Sequence, residues 1–219
     1  MSPLHCIFDL DGTLFDSHLQ IVNAALWTRN LYGLQELDPL EIKDLIGLPA
    51  RFLFADVKES TIDMPQLVLS FRSRLKVEIT KRNEVFPGVL EIVSQFKSLG
   101  ARLSVATTKP TELAEWTIRY SVLEGLIDYV QGTDDFEPKP DPEVILRCLK
   151  NEKSSRVIMF GDRTEDMQAA RAAKVLGFGI AQSVHTQEEL SCAGATYTFP
   201  SFANHRQIIE VIDESFAAQ

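Results

Sequence analysis

The sequence predicts an α/β protein whose parallel sheet is interrupted, after its first strand, by an inserted helical segment. A short apolar run, residues 4–8, reads as a buried strand and ends in closely spaced acids. Residues 17–85 show helical patterning and no convincing strand. From residue 86 onward strands and helices alternate, which is typical of a parallel sheet covered on both faces. We therefore predict a core domain from residues 1–16 and 86–219, and an all-helical cap domain from residues 17–85.

Three helices are expected in the cap. The first spans residues 18–31 and precedes Gly33, which suits a helix end. Asp38 and Pro39 suit the start of a second helix, which Gly47 would stop after residue 46. The third covers residues 64–80, where apolar side chains recur every four residues and mark one buried face. Four aromatic residues are expected in the core of the cap: Trp27, Phe52, Phe54 and Phe71.

The remaining elements complete a Rossmann-like, doubly wound parallel sheet. Strands are predicted at residues 102–107, 127–131, 157–162 and 175–181. Helices are predicted at residues 89–99, 110–121, 141–149, 165–174 and 208–216.

Composition limits the classes of partner. The chain has 219 residues with 22 basic and 31 acidic side chains, a net charge of −9, and no basic cluster suited to nucleic acid. The 3 cysteines lie far apart without metal-ligand spacing, which suits a reducing compartment. No apolar run approaches the roughly 20 residues that span a bilayer. We therefore expect a cytoplasmic protein, monomeric or homodimeric, without nucleic-acid or membrane partners.

Polar residues gather where the predicted strands end. Asp9 and Asp11 are two residues apart in an extended segment, so their side chains can point into the same space. Gly12 permits a turn there and Thr13 adds a hydroxyl. Because parallel sheets bind ligands at the carboxyl ends of their strands, we expect these residues to converge with others. The others are Thr107, Thr108, Lys109, Lys139, Gly161, Asp162 and Asp166.

This set of side chains suits phosphoryl transfer. Clustered carboxylates favour Mg²⁺, a hard ion that shares phosphate oxygens with protein ligands. A carboxylate can also attack phosphorus, while a second acid protonates the leaving oxygen and later activates water. Hydroxyls and a lysine stabilise the charge on the transferring group.

Four segments, DLDGTLFD, SVATTKP, EPKP and MFGDRTED, resemble the motifs of the haloacid dehalogenase superfamily in order and spacing. The helical insert behind the first motif is similar to that of the subgroup containing phosphoglycolate phosphatase and β-phosphoglucomutase. The resemblance implies that Asp9 is the nucleophile and Asp11 the general acid and base. It implies that Thr107 binds the phosphoryl oxygens and that Lys139 stabilises the same charge.

The resemblance also implies a metal site and a substrate site. Mg²⁺ would be held by Asp9, the backbone carbonyl of Asp11, Asp162 and Asp166. A small phosphorylated metabolite would be cradled by Gly12, Thr13 and Thr108 and contacted by Arg51 of a mobile cap. The segments around Asp16 and Val85 would be the hinges.

Some positions depart from the family pattern or have a plainer interpretation. Arg163 stands where serine is frequent, and Lys174 where a helix-ending glycine is frequent. Lys109, directly before Pro110, is interpreted as a residue of the turn and not of the substrate site.

Several functions compete with phosphatase activity. The acid at Asp11 argues against dehalogenases, which lack it, and against phosphonate-cleaving relatives, which change that position. A phosphomutase of the β-phosphoglucomutase type remains an alternative, although Ile21 occupies the position of the mutase histidine. From another class, a phospho-accepting signalling module also gathers acids, a threonine and a lysine, but is shorter and has no helical insert.

Overall fold

In the computed structural model, which describes residues 4–57, 62–150 and 156–217, one parallel sheet contains the strands found there. Its order is β3-β2-β1-β4-β5-β6. The strands are β1 (Leu4–Phe8), β2 (Arg102–Ala106), β3 (Tyr129–Gln131), β4 (Arg156–Gly161), β5 (Leu176–Ile180) and β6 (Tyr197–Phe199). The order reverses direction at β1, so the sheet is doubly wound as predicted.

Strand β1 occupies the centre of the sheet, between β2 and β4. Phe8 pairs with Val105 on one side and with Phe160 on the other. This register brings Asp9 level with the ends of both neighbours, and its N–H donates to Phe160 O at 2.8 Å. The residues that follow β1, β2 and β4 therefore meet at one edge of the sheet.

Helices cover both faces of the sheet. They are α4 (Val89–Ser98), α5 (Thr111–Arg119), α6 (Glu143–Cys148), α7 (Thr164–Ala172), α8 (Gln187–Cys192) and α9 (His205–Ala217). On one face Phe8 stacks on Phe160, with ring centroids 4.9 Å apart, and both belong to a large buried aromatic cluster. On the other face Ile7 and Met159 pack against α6 and α7.

Helices α1 (His18–Leu31), α2 (Pro39–Asp44) and α3 (Met64–Lys81), with a 3₁₀ turn at Ala50–Phe54, form the cap over the sheet edge. Helix α2 begins at a capping box, in which Leu40 N–H donates to Asp38 and Asp38 N–H to Glu41. Arg29, fully buried, forms a bidentate ion pair with Asp56 at 2.9 and 2.6 Å and ties α1 to the 3₁₀ turn.

The chain crosses between core and cap twice, at adjacent points. Phe15 forms an antiparallel bridge with Val85, and Asp16 N–H donates to Glu84 O at 3.1 Å. The cap also packs on the core away from these crossings, because Leu113 of α5 belongs to the buried cluster of the cap.

Two predictions about the core of the cap were wrong, and two elements of the fold were not predicted. Trp27 and Phe52 are each 40% exposed and are not part of the cap core, unlike Phe54 and Phe71. The sequence interpretation also missed α8 and β6. Each is short and fully buries one apolar side chain, Leu190 in α8 and Phe199 in β6, so neither shows a periodic pattern.

Lys174 has φ +59°, the left-handed conformation that glycine adopts at helix ends, and so takes the backbone role of the family glycine. None of the helices within the described ranges is both long and apolar enough to cross a bilayer.

Candidate active site

Three buried carboxylates meet where β1 and β4 end. Asp9 follows β1, Asp162 follows β4, and Asp166 lies one turn into α7. One carboxylate oxygen from each lies within 4.8 Å of the other two, and all three residues are buried. We call Asp9, Asp162 and Asp166 the acidic cluster.

Lys139 is the cation that faces this cluster. Its Nζ donates to Asp9 Oδ1 at 2.6 Å, to Asp166 Oδ1 at 2.5 Å and to Ala106 O at 3.1 Å. The loop that carries Lys139 thus reaches back across the end of β2. All three donor hydrogens of the ammonium group are used, so its position is fixed.

Two glycines make room for the cluster. Gly12 has φ +89°, and a Cβ there would lie 2.4 Å from Asp162 Oδ2. At Gly161 a Cβ would lie 2.3 Å from Asp166 Cβ. Thr13 Oγ1 donates to Asp162 Oδ1 at 2.7 Å, which orients that carboxylate.

Asp11 lies outside the cluster and has a lysine of its own. Lys109 Nζ donates to Asp11 Oδ1 at 2.8 Å, and both side chains are buried. The N–H of Lys109 donates to Thr107 Oγ1 at 3.2 Å. Lys109 therefore pairs with a predicted site residue, in addition to its place in the turn before Pro110.

Burial shapes the protonation of these groups. Burial raises the pKa of Asp9 to about 7, although Lys139 opposes the shift. Burial, reinforced by the charges of Asp9 and Asp166, also raises the pKa of Asp162 well above its ordinary value. Burial alone would lower the pKa of Lys139, but Asp166 and Asp9 raise it above its ordinary value. If all three carboxylates are ionised, the cluster carries more negative charge than Lys139 alone can balance.

This imbalance fits a hard divalent cation. The donors are carboxylate oxygens, the ligand type that Mg²⁺ prefers, and three carboxylates face one ammonium group. A cation among these carboxylates would offset both the burial and the mutual repulsion that raise the pKa values of Asp9 and Asp162.

A cleft of about 210 Å³ opens between cap and core beside Asp11. Thr107, Thr108 and Lys109 line its core side. Residues 45–51, which include Arg51, line its cap side together with Leu53 and Arg72. The cleft thus contains cations from both parts of the protein.

The structure brings the predicted site residues to this edge. Asp9, Asp11, Thr13, Thr107, Lys139, Asp162 and Asp166 are buried here, Gly12 lies against Asp162, and Thr108 and Arg51 line the cleft. The sequence interpretation placed Lys109 at the end of the second strand but assigned it to the turn, and it missed Arg72. The position of Lys109, one residue after Thr108, was visible in the sequence, whereas its contact with Asp11 was not. Arg72 carries no such signal.

The acidic cluster, Asp11 and the two lysines lie at one edge of the sheet, under a helical cap. This arrangement is typical of a hydrolase of the phosphatase type. The family model for haloacid dehalogenase-like hydrolases matches residues 6–180, and the chain belongs to that family.

Relatives agree with this class. The chain is 32% identical to a phosphoglycolate phosphatase from Caulobacter vibrioides, over 92% of this chain and 91% of that protein. It is 31% identical to a protein named probable phosphatase IndB from Dickeya dadantii, over 88% of this chain and 87% of that protein. The crystal structure of a predicted phosphatase from Clostridium acetobutylicum superimposes with a TM-score of 0.82 at 28% identity, covering 96% of this chain and 100% of that one.

Proposed function

We propose that this protein is a Mg²⁺-dependent phosphatase that hydrolyses a small phosphorylated metabolite, phosphoglycolate or a sugar phosphate, through an aspartyl phosphate on Asp9. The observation that carries the proposal is the position of Asp9. Its carboxylate belongs to the acidic cluster, contacts Lys139 at 2.6 Å, and lies two residues from Asp11 in the wall of the cleft.

Asp9, Asp162, Asp166 and the backbone carbonyl of Asp11 would hold Mg²⁺. When bound, the ion supplies positive charge that lets an anionic phosphate approach an anionic nucleophile. Lys139 would remain beside Asp9 and keep that carboxylate ionised and oriented, because it already contacts it in this structure.

The reaction would proceed in two displacements. An oxygen of Asp9 forms a bond to phosphorus while the bond from phosphorus to the ester oxygen breaks, and Asp11 gives its proton to that oxygen. Asp11 then takes a proton from water, whose oxygen attacks phosphorus. Inorganic phosphate leaves and the carboxylate of Asp9 is restored. Gly12, Thr13, Thr107 and Thr108 would surround the phosphoryl oxygens.

The cap would select the substrate. We take residues 17–85 as the cap and residues 1–16 with 86–219 as the core, and the adjacent crossings at Asp16 and Val85 suit hinges. Arg51 would bind a second polar or anionic group of the substrate, because it lines the cleft opposite Thr108 and Lys109.

A phosphomutase is less well supported. Ile21, which stands at the position of the mutase histidine, lies in the wall of the cleft and supplies no acid or base there. Phosphatase activity is therefore the function that these residues support best.

The test is hydrolysis of p-nitrophenyl phosphate. We expect turnover with Mg²⁺, none with EDTA, and a loss of at least about 1000-fold in Asp9→Asn, because the nucleophile is gone. Asp16→Asn is the matched control, since Asp16 is an exposed acid of the same segment, and it should stay active. Equal hydrolysis by wild type and Asp9→Asn would overturn the mechanism. Conversion of β-glucose 1-phosphate without release of phosphate would indicate a mutase instead.

A further inference from the structure

Arg163 connects the core to the cap through a buried contact. It directly follows Asp162 and precedes α7, yet its Nη1 donates to Ile46 O of the cap at 2.5 Å. Arg163 is only 8% exposed. A hydrogen bond from a charged donor is stronger than one between neutral groups, and burial protects it from competition by water.

The cap is shaped to receive this side chain. Gly47, the residue after Ile46, has φ +88°, and a Cβ at that position would lie 2.7 Å from Arg163 Cδ. The turn after α2 therefore needs glycine both for its backbone conformation and for the space that Arg163 fills.

The backbone of Arg163 contacts the acidic cluster. Its N–H donates to Asp166 Oδ2 at 3.0 Å, while Asp166 Oδ1 accepts from Lys139. The side chain of Arg163 thus holds the cap, and its main chain orients a member of the cluster. A shift of the cap at Ile46 would pull on Arg163, and through it on the neighbouring Asp162 and on Asp166 in the first turn of α7.

The contact between Lys76 and Glu112 provides a comparison. This ion pair also joins cap to core, from α3 to α5, but the Glu112 side chain is 82% exposed. Exposed ion pairs contribute little to stability, because water screens them. A variant without the Lys76–Glu112 ion pair therefore serves as a control, because it loses a cap–core contact that does not touch the acidic cluster.

We propose that Arg163 is a positioning residue that latches the cap closed and couples its closed position to the acidic cluster. This inference rests on the proposed function for its kinetic test but not for its structural test. Arg163 touches neither substrate nor reacting atoms in this scheme. It acts by holding the turn at Ile46 and Gly47, and with it Arg51, over the cleft.

The structural test measures the distance between cap and core by pulsed electron paramagnetic resonance. Cys192 in α8 is exposed and takes one spin label, and Leu40→Cys in α2, where Leu40 is 70% exposed, takes the other. Cys6 and Cys148 are buried and should stay unlabelled. With Mg²⁺ present, we expect a narrow distribution in the parent protein and a longer or broader one in Arg163→Met. Lys76→Met should keep the parent distribution.

The kinetic test separates loss of the Arg163 contact with the cap from a general loss of folded, active protein. For the best substrate of a phosphometabolite panel, Arg163→Met should lower kcat/KM about 10- to 100-fold, matching loss of one charged hydrogen bond. The loss should be several-fold smaller for p-nitrophenyl phosphate, because it has no second anionic group for Arg51 of the cap to bind. Arg163→Lys, which keeps the charge, should recover part of the activity, and Gly47→Ala should reproduce the defect of Arg163→Met.

The two proposals can fail separately. If the wild type hydrolyses no phosphate ester but Arg163→Met still broadens the distance distribution, the proposed function fails and the latch stands. If Arg163→Met changes neither the distribution nor kcat/KM while Asp9→Asn is inactive, the latch is overturned and the phosphatase stands. A melting curve as cooperative as that of the parent would show that Arg163→Met is folded.

Discussion

At the residue scale, the two acids that follow β1 pair with different lysines. Lys139 pairs with Asp9 and Lys109 with Asp11, so each acid has its own cation and its own neighbours. The different surroundings of Asp9 and Asp11 match their two proposed roles. Asp9 lies among carboxylates that suit a metal, whereas Asp11 faces the cleft, where a leaving group would be protonated.

Lys109→Met tests whether Lys109 acts through Asp11. Without its partner, Asp11 should lose its orientation, and hydrolysis of an alkyl phosphate should fall about 100-fold, the lower range for general acid catalysis. The p-nitrophenyl ester should be affected less, because its leaving group needs little protonation. Steady-state kinetics on both esters provides the measurement.

A double variant gives the control for this prediction. If Lys109 works only by positioning Asp11, the variant with both Lys109→Met and Asp11→Asn should be no slower than Asp11→Asn alone. Fully additive losses would mean that Lys109 acts on the substrate directly.

At the same scale, some contacts of the site could be predicted from the sequence and others could not. The four motifs were enough to place Asp9, Thr107 and Asp162, because each directly follows a strand of the sheet. Lys139 lies farther along the chain, in the segment between β3 and α6, and was placed by its motif. The pairing of Lys109 with Asp11 joins residues 98 positions apart and depends on side-chain direction at the end of β2. No local pattern encodes that direction.

At the element scale, the helices and strands that were predicted correctly are those with a strong local sequence pattern. The bounds of β1 and α1 were predicted correctly, since an apolar run and a helical period are strong signals. Helix α8 was missed although Thr186 and Glu189 form a capping box that the sequence displays. Strand β6 has 3 residues and exists because β5 offers it an edge, as Phe178 pairs with Tyr197. Such a strand is a product of tertiary packing.

The cap elements make a prediction about substrate choice. Arg51 and Arg72 both line the cleft, so Arg51→Met and Arg72→Met should each raise KM about 10-fold for a substrate with a second anionic group, such as phosphoglycolate. KM for p-nitrophenyl phosphate, which has no such group, should change little. Initial-rate kinetics on both substrates tests this. Equal changes for both substrates would show that these arginines support the fold of the cap and not recognition.

At the scale of the whole molecule, the acidic cluster links stability to pH. In the absence of metal, burial raises the pKa of Asp9 to about 7 and that of Asp162 well above its ordinary value. Unfolded aspartates titrate near pKa 3.9, so between about pH 4 and 7 the folded protein binds more protons than the unfolded chain. The free energy of unfolding of the metal-free protein should therefore fall as pH rises through this window.

Mg²⁺ should reverse this loss of stability, and more strongly at high pH. The ion needs deprotonated carboxylates, so its affinity for the cluster grows as Asp9 and Asp162 lose their protons. At 100 times its dissociation constant a ligand stabilises the folded protein by about 2.7 kcal/mol, which corresponds to roughly 5–10 °C in Tm for a chain of this size.

We expect such a shift in Tm at pH 8 and a much smaller one at pH 5.5, measured by differential scanning calorimetry against NaCl of equal ionic strength. Asp162→Asn should lose the shift at pH 8 while Asp16→Asn keeps it. The same shift at both pH values would mean that Mg²⁺ stabilises the protein somewhere other than the acidic cluster, because only a site built from these carboxylates gains affinity as they ionise.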